Sequence, residues 1–175
     1  MATKGSKTYK GLNISGGIAI GPAQVRETGG IEVLEYSITK SKIKAERERL
    51  SHAVNLARRQ VRRLQRRAHS MKGAAAEELG FLLDAYQLML KGSRLVRGAD
   101  GRITDLRINA EAAVQQEIAE IAATFQAMDD AYIAARLDDI REVGNRVIRN
   151  LTRKVLKPFS AAPKGSIIIA EQLTP

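Results

Sequence analysis

The chain has 175 residues, a formal net charge of +10, 44% hydrophobic residues and no cysteine. Such a length and apolar fraction argue for a buried core and against wholesale disorder, and the missing cysteines exclude disulfide staples and thiolate metal sites. The longest apolar runs, of the kind Ile167–Ala170, are too short to span a membrane, while the excess positive charge raises the expectation of an anionic partner.

Residues 1–8 are small and polar, without the apolar stretch of a secretory signal, and read as a linker or tag remnant. Tyr9 to Glu27 predicts two short strands around a turn at Gly16-Gly17, with Pro22 marking a bulge or an edge. Ile31 to Ile38 reads as a further extended segment. From about Ser41 the period becomes helical. Leu50, Val54, Ala57, Val61, Leu64, Ala68 and Met71 form one stripe on a long helix that Gly73 interrupts. A second helix runs from Ala74 to Lys91 with Leu79, Leu82, Leu83, Tyr86 and Leu90 inward, and Gly92 is placed to end it. Ser93 to Leu106 reads as a short helix and a loop around Gly98, Asp100 and Gly101.

Asn109 is a good N-cap for a third helix carrying Val114, Ile118, Ile121, Phe125 and Met128. Asp129-Asp130 opens a fourth, with Ile133, Leu137, Ile140, Val147 and Leu151, and Pro158 stops it. Ser166 to Leu173 reads as a strand that could pair with the N-terminal ones. Short connections between the helices predict a mainly α, four-helix up-down bundle. The division along the chain is 9–38 for the N-terminal strands, 39–157 for the helices and 158–175 for the return strand. A lone strand at the end of the chain would expose its edges, so the natural chain is expected to continue.

The chemistry on offer is sparse. His52 and His69 lie on the first helix with no carboxylate or second histidine three or four residues further on, and read as surface histidines rather than catalytic ones. Gly16 to Gly21 lacks the Lys-Ser/Thr of a phosphate-binding loop and reads as turn glycines. The conspicuous feature is Arg58, Arg59, Arg62, Arg63, Arg66 and Arg67, outside the apolar stripe, in a stretch from Ser51 to Ala76 without one acidic residue. A solvated or partner-facing surface is the preferred reading. Nucleic acid stands behind it, because no aromatic residue interleaves to stack on bases. The second helix carries a mixed face of Glu77, Glu78, Tyr86 and Met89, followed by Leu95. Periodicity alone leaves Tyr86 and Met89 balanced between core and docking patch.

Five segments together resemble the N-terminal part of Enzyme I, the phosphoenolpyruvate–protein phosphotransferase of bacterial phosphotransferase systems. They begin at Gly11 to Ala23, Leu82 to Leu90 and Asn109 to Val114. They continue with Asp129 to Arg146, the most specific of them, and with Ser166 to Pro175. Ser93 to Gly98 is most similar to the nitrogen-related branch, in which a sensory GAF domain often precedes this region.

The resemblance implies a helical carrier-docking subdomain inserted into a truncated α/β subdomain. It implies a partner, the small phosphocarrier HPr or its nitrogen-system counterpart NPr, and a docking face of Glu77, Glu78, Tyr86, Met89, Leu95, Ile133 and Arg136. It tips Tyr86 and Met89 toward partner contact. The family's phosphorylated histidine lies in a Gly-Gly-x-Thr-Ser-His motif that this chain lacks, so the chain is expected to be inactive alone, with no catalytic, cofactor-binding or metal residues of its own. Magnesium, phosphoenolpyruvate binding and a homodimer interface would belong to a C-terminal domain of a cytoplasmic parent enzyme. The alternative is a non-enzymatic helical adaptor that binds nucleic acid or an acidic protein through the arginine-rich helix.

Overall fold

The computed structural model describes residues 7–26, 31, 33–126, 131–153 and 163–170. Two compact units divide it: the described residues of Met1–Thr28 with Pro158–Gln172, and those within Gly29–Lys157.

The first unit holds two strands, β1 (Ala23–Arg26) and β2 (Ile167–Ala170), paired in parallel with Ala23 opposite Ile167 and Arg26 opposite Ala170. Pro22 cannot donate to a ladder, and it stands just before β1, where its carbonyl accepts the Ile167 N–H at 2.9 Å. Of the two strands expected between Tyr9 and Glu27, only the second forms. Lys10 to Ile20 has no strand partner among the described residues, and Leu12, Ile14, Ile18 and Ile20 are all at least 94% exposed. Without a neighbouring edge to take its backbone hydrogen bonds, an alternating sequence has nothing to hold it in a ladder.

The second unit is helical. A 3-10 turn (Lys40–Lys42) leads into α1 (Ile43–His69), followed by α2 (Ala74–Met89), α3 (Arg94–Asp105), α4 (Ala110–Gln126) and α5 (Ala131–Thr152). Among the described residues no helix is long and apolar enough to cross a membrane. The α1 stripe is buried from Leu50 through Val61 to Ala68, whereas Met71, beyond the helix end, is 58% exposed. Each large side chain fully buried along these stripes contributes roughly 1.5–3 kcal/mol. Gly73 and Gly92, at φ of 104° and 92°, follow α1 and α2 in a region that favours glycine.

Helix α3 departs from expectation. Its glycines read as loop signals, yet Gly98 and Gly101 lie inside a helix of 12 residues. The reason is a neighbour. A Cβ on Gly98 would collide with the Glu117 carboxylate of α4. Arg94 and Arg102, four residues to either side of Gly98, reach over the gap to Glu117 at 3.3 and 2.9 Å, and both also pair with Glu120. Glycine therefore makes the seat for a buried carboxylate that two guanidiniums hold. Gly144 does the same for an apolar group: a Cβ there would meet the Ile118 side chain, so α5 lies close against α4.

Asn109 also differs from its expected role. Its carbonyl accepts the Ala113 N–H at 3.0 Å, as a capping residue's should, but its side chain faces the extended segment before α1. Its amide donates to the Leu34 carbonyl at 3.0 Å and to Glu111 at 3.1 Å, and its Oδ1 accepts the Tyr36 N–H at 3.0 Å. The free N–H of Ala110 is met by Glu46 of α1 instead, at 3.1 Å. Segment 36–38 runs antiparallel to 107–109, bridged at Ser37 and Ile108, and so packs with the helices.

Replacing Gly98 by alanine tests the Glu117 seat. Helix propensity alone favours alanine by about 1 kcal/mol. The clash with the carboxylate is expected to reverse that sign and destabilise by roughly 1–3 kcal/mol in urea unfolding. A neutral or stabilised Gly98→Ala would mean that Glu117 can leave its seat without cost.

Candidate functional site

Helix α2 is apolar on two sides. Leu83, Tyr86 and Leu90 are buried, with Leu79 and Leu82 packed against that core. On the outer side Phe81 is 75% and Leu88 71% exposed. They stand seven residues apart, two turns on one face, with exposed Asp84 between them and exposed Glu77, Glu78 and Lys91 at the ends. Water against a Phe and a Leu on one stripe is unfavourable, and such a stripe rimmed by charge marks a contact surface more often than an isolated exposed residue does.

The expected site residues differ in burial. Glu77, Glu78 and Arg136 are exposed, and Met89 is half-buried against the core. Ile133 lies where side chains are outside the described ones. Tyr86 and Leu95 belong to the core, at 3% and 4% exposed, and so present no surface to a partner. Tyr86 follows the inward stripe of α2, and Leu95 packs with Ala99 and Ile103 as the buried face of α3.

Tyr86 nevertheless connects to the surface. Its hydroxyl donates to Asp139 Oδ1 of α5 at 3.5 Å, and the other oxygen of the same carboxylate accepts from Arg136 Nη1 at 3.2 Å. Asp139 thus ties the inner face of α2 to an exposed guanidinium one turn earlier on α5. Burial, followed by the charges of Asp139 and Glu142, raises the Tyr86 phenol well above its ordinary value of 10.0. The phenol stays a donor, and the carboxylate stays aimed at Arg136. Further along α5, Glu142 accepts from both Arg146 and Arg149, at 3.0 and 2.9 Å.

Phe81 and Leu88 were not singled out by sequence reasoning, although the signal was present. Neither falls on the stripe of Leu79, Leu82, Leu83, Tyr86 and Leu90, so a single helix face cannot bury all of them. The histidines take no part in this surface: His69 Nδ1 lies 2.7 Å from the Gln65 carbonyl of its own helix, and His52 is exposed on α1.

The family described as PEP-utilising enzyme, N-terminal, matches residues 10–136. Over 174 residues, 94% of this chain, the sequence is 30% identical to a phosphoenolpyruvate-protein phosphotransferase of Cupriavidus necator, and covers 29% of that protein. It is 31% identical over 169 residues to the protein of that name from Geobacillus stearothermophilus, covering 97% of this chain and 28% of the relative. The chain thus spans less than a third of the length of these relatives. Among solved structures, the NMR solution structure of an Enzyme I protein (nEIt) superposes with a TM-score of 0.73 at 25% identity, covering 90% of this chain and 62% of that one. The N-terminal domain of Enzyme 1 - Nitrogen superposes with a TM-score of 0.65 at 26% identity, covering 86% and 60%.

The raised Tyr86 phenol makes stability depend on alkaline pH. The unfolded chain ionises this group first, so the stability it contributes is intact below about pH 10 and declines as pH rises beyond it. Urea midpoints should fall between about pH 9 and about pH 11, and should fall less in Tyr86→Phe. Equal falls in the two proteins would remove Tyr86 as the source.

Proposed function

Because this chain belongs to the PEP-utilising enzyme N-terminal family, we propose that its helical unit is the surface on which a small HPr-type phosphocarrier docks to receive a phosphoryl group. The observation that carries this reading is the exposed Phe81–Leu88 stripe of α2, joined through Tyr86 and Asp139 to the surface guanidinium Arg136 of α5. An apolar stripe supplies the desolvated centre of an interface, and an arginine held by a carboxylate supplies an oriented charge. Glu77 and Glu78 add an acidic rim at the start of α2. Met89 offers an adaptable edge, and Ile133, which the resemblance adds to the face, has its side chain outside the described ones. Leu95 acts from beneath it, by packing.

The names of the relatives support the reaction that docking would serve. The parent enzyme takes a phosphoryl group from phosphoenolpyruvate onto an imidazole nitrogen of its own, then passes it to a histidine of the docked carrier. This chain's part is orientation, holding the carrier so that transfer is in line. Among the described residues no group of three or more histidines or carboxylates could hold a metal ion, and docking needs none; magnesium would act elsewhere in the parent. We read that parent as a cytoplasmic homodimer of the nitrogen-related branch. One solved neighbour with nitrogen in its name supports the branch, as does the Ser93–Gly98 resemblance, and NPr is then the preferred carrier.

Titrating the isotope-labelled chain with unlabelled HPr and NPr by NMR tests the reading. Shifts are expected at Phe81, Leu88, Met89 and Arg136, with the larger affinity for NPr. Arg136→Ala should weaken binding by about tenfold or more, in the range of a moderate hot spot. A folded chain that shifts with neither carrier would end the docking proposal.

A further inference from the structure

We infer that the arginine rows of α1 form a second binding surface, beside the proposed carrier face, that takes the phosphate backbone of a nucleic-acid duplex. Arg59, Arg62, Arg63, Arg66 and Arg67 are exposed and Arg58 is half-buried. Many other arginines of the helical unit are neutralised in pairs and forks, such as Arg47 with Asp100, Arg49 with Glu46 and Glu111, Arg102 with Glu117 and Glu120, and Arg149 with Glu142, whereas among the described residues Arg97, Arg107 and Arg153 have no acidic partner. Among the described residues none of the six arginines from Arg58 to Arg67 has an acidic partner, and the Arg58 Nε is buried without any hydrogen-bond partner. Asp84 of α2 accepts from Gln65, beside the arginine rows, at 2.6 Å. Arg59, Arg62, Arg63 and Arg66, with Gln65 and His69, line one open groove.

Spacing and composition favour a phosphate backbone over an acidic protein. The six side chains fall into two rows, 58/62/66 and 59/63/67, that repeat about every 6 Å along some 14 Å of helix. That length matches the axial rise of about four phosphates of one strand, at roughly 3.4 Å each. No large apolar side chain is exposed on α1. Protein interfaces need an apolar centre, whereas nucleic-acid interfaces are polar and strongly positive. The missing aromatic residues argue against single strands, whose bases must stack, and leave a duplex read by charge alone. The apolar seam of α1 is already buried in the bundle, so the helix meets the backbone with its outer face.

Fluorescence anisotropy of the full chain with a labelled mixed-sequence DNA duplex of about 20 base pairs, over roughly 50–300 mM salt, tests the inference. Binding is expected with a log–log salt slope of about −4, the value for four neutralised phosphates. The combined variant Arg59→Gln, Arg62→Gln, Arg63→Gln and Arg66→Gln should flatten that slope to near zero, and Arg63→Gln alone should reduce it by about one. A control carrying Lys10→Gln, Arg47→Gln, Arg97→Gln and Arg141→Gln loses the same net charge and should keep the slope. The inference is overturned by any one of three results: no binding at the lowest salt, equal losses in the two combined variants, or tighter binding of a glutamate-rich peptide of the same charge as the duplex.

Discussion

Where α1 meets α4, four polar side chains decide the arrangement of the helical unit. Glu46 accepts the Ala110 N–H at 3.1 Å and pairs with Arg49 at 2.5 Å; Arg49 reaches Glu111 at 2.6 Å; Glu111 accepts from Asn109 at 3.1 Å. Burial opposes the Arg49 charge, yet the two carboxylates outweigh it and raise its pKa. Glu46, Asn109 and Glu111 are all buried, where an unmatched donor or acceptor costs about 1–3 kcal/mol. Satisfying all of them at once requires one register of α1 against α4, with segment 34–36 drawn in by Asn109. Apolar stripes alone would tolerate a helix sliding by a turn. This cluster does not.

From that fixed end α4 becomes the helix on which α3 and α5 are built. Its exposed-looking alternation of alanines and glutamates resolves into two working faces. Ala110, Ala112 and Ala113 are buried and let neighbours approach. Glu117 and Glu120 take up the arginines of α3, and Ile118 fits over Gly144 of α5. The face of α5 with Asp139 and Arg136 is positioned by that packing, as is the link from Asp139 back to Tyr86. The proposed docking face would thus depend on contacts made on the far side of α5.

Much of this was legible in the sequence, for reasons that also mark the limits. Long stripes with period 3.6 located α1, α2, α4 and α5, because burial repeats every turn and shows in composition. Gly73 and Gly92 punctuated them correctly, since φ above zero is a local demand. Gly98 and Gly101 misled, because their reason is tertiary: the carboxylate that needs the gap on Gly98 lies 19 residues away on another helix. Asn109 was placed at the right boundary with the wrong partners for a similar reason, as Glu46 takes over the cap from α1. The N-terminal strands were recognisable by alternation and the C-terminal one by its short apolar run, but which of them finds an edge is decided by non-local pairing. At the site, periodicity left Tyr86 balanced between core and docking patch and the resemblance tipped it toward partner contact, whereas the structure buries it. Leu88 and Phe81 stand out only once a stripe is read for what it leaves uncovered.

The parallel pairing of β1 with β2 has a consequence for how such a chain can be remade. Parallel neighbours cannot be joined by a tight turn, so everything between Arg26 and Ile167 is one long crossover. In that ladder Ile167 stands opposite Ala23, three residues before Arg26, so the crossover leaves and re-enters about 11 Å apart, given strands about 4.8 Å apart and a rise of about 3.3 Å per residue. The only geometric condition the ladder imposes on its insert is that short gap. A different helical cassette meeting it could be transplanted into the same two strands, and recombination between relatives could exchange whole helical units without disturbing a single ladder hydrogen bond.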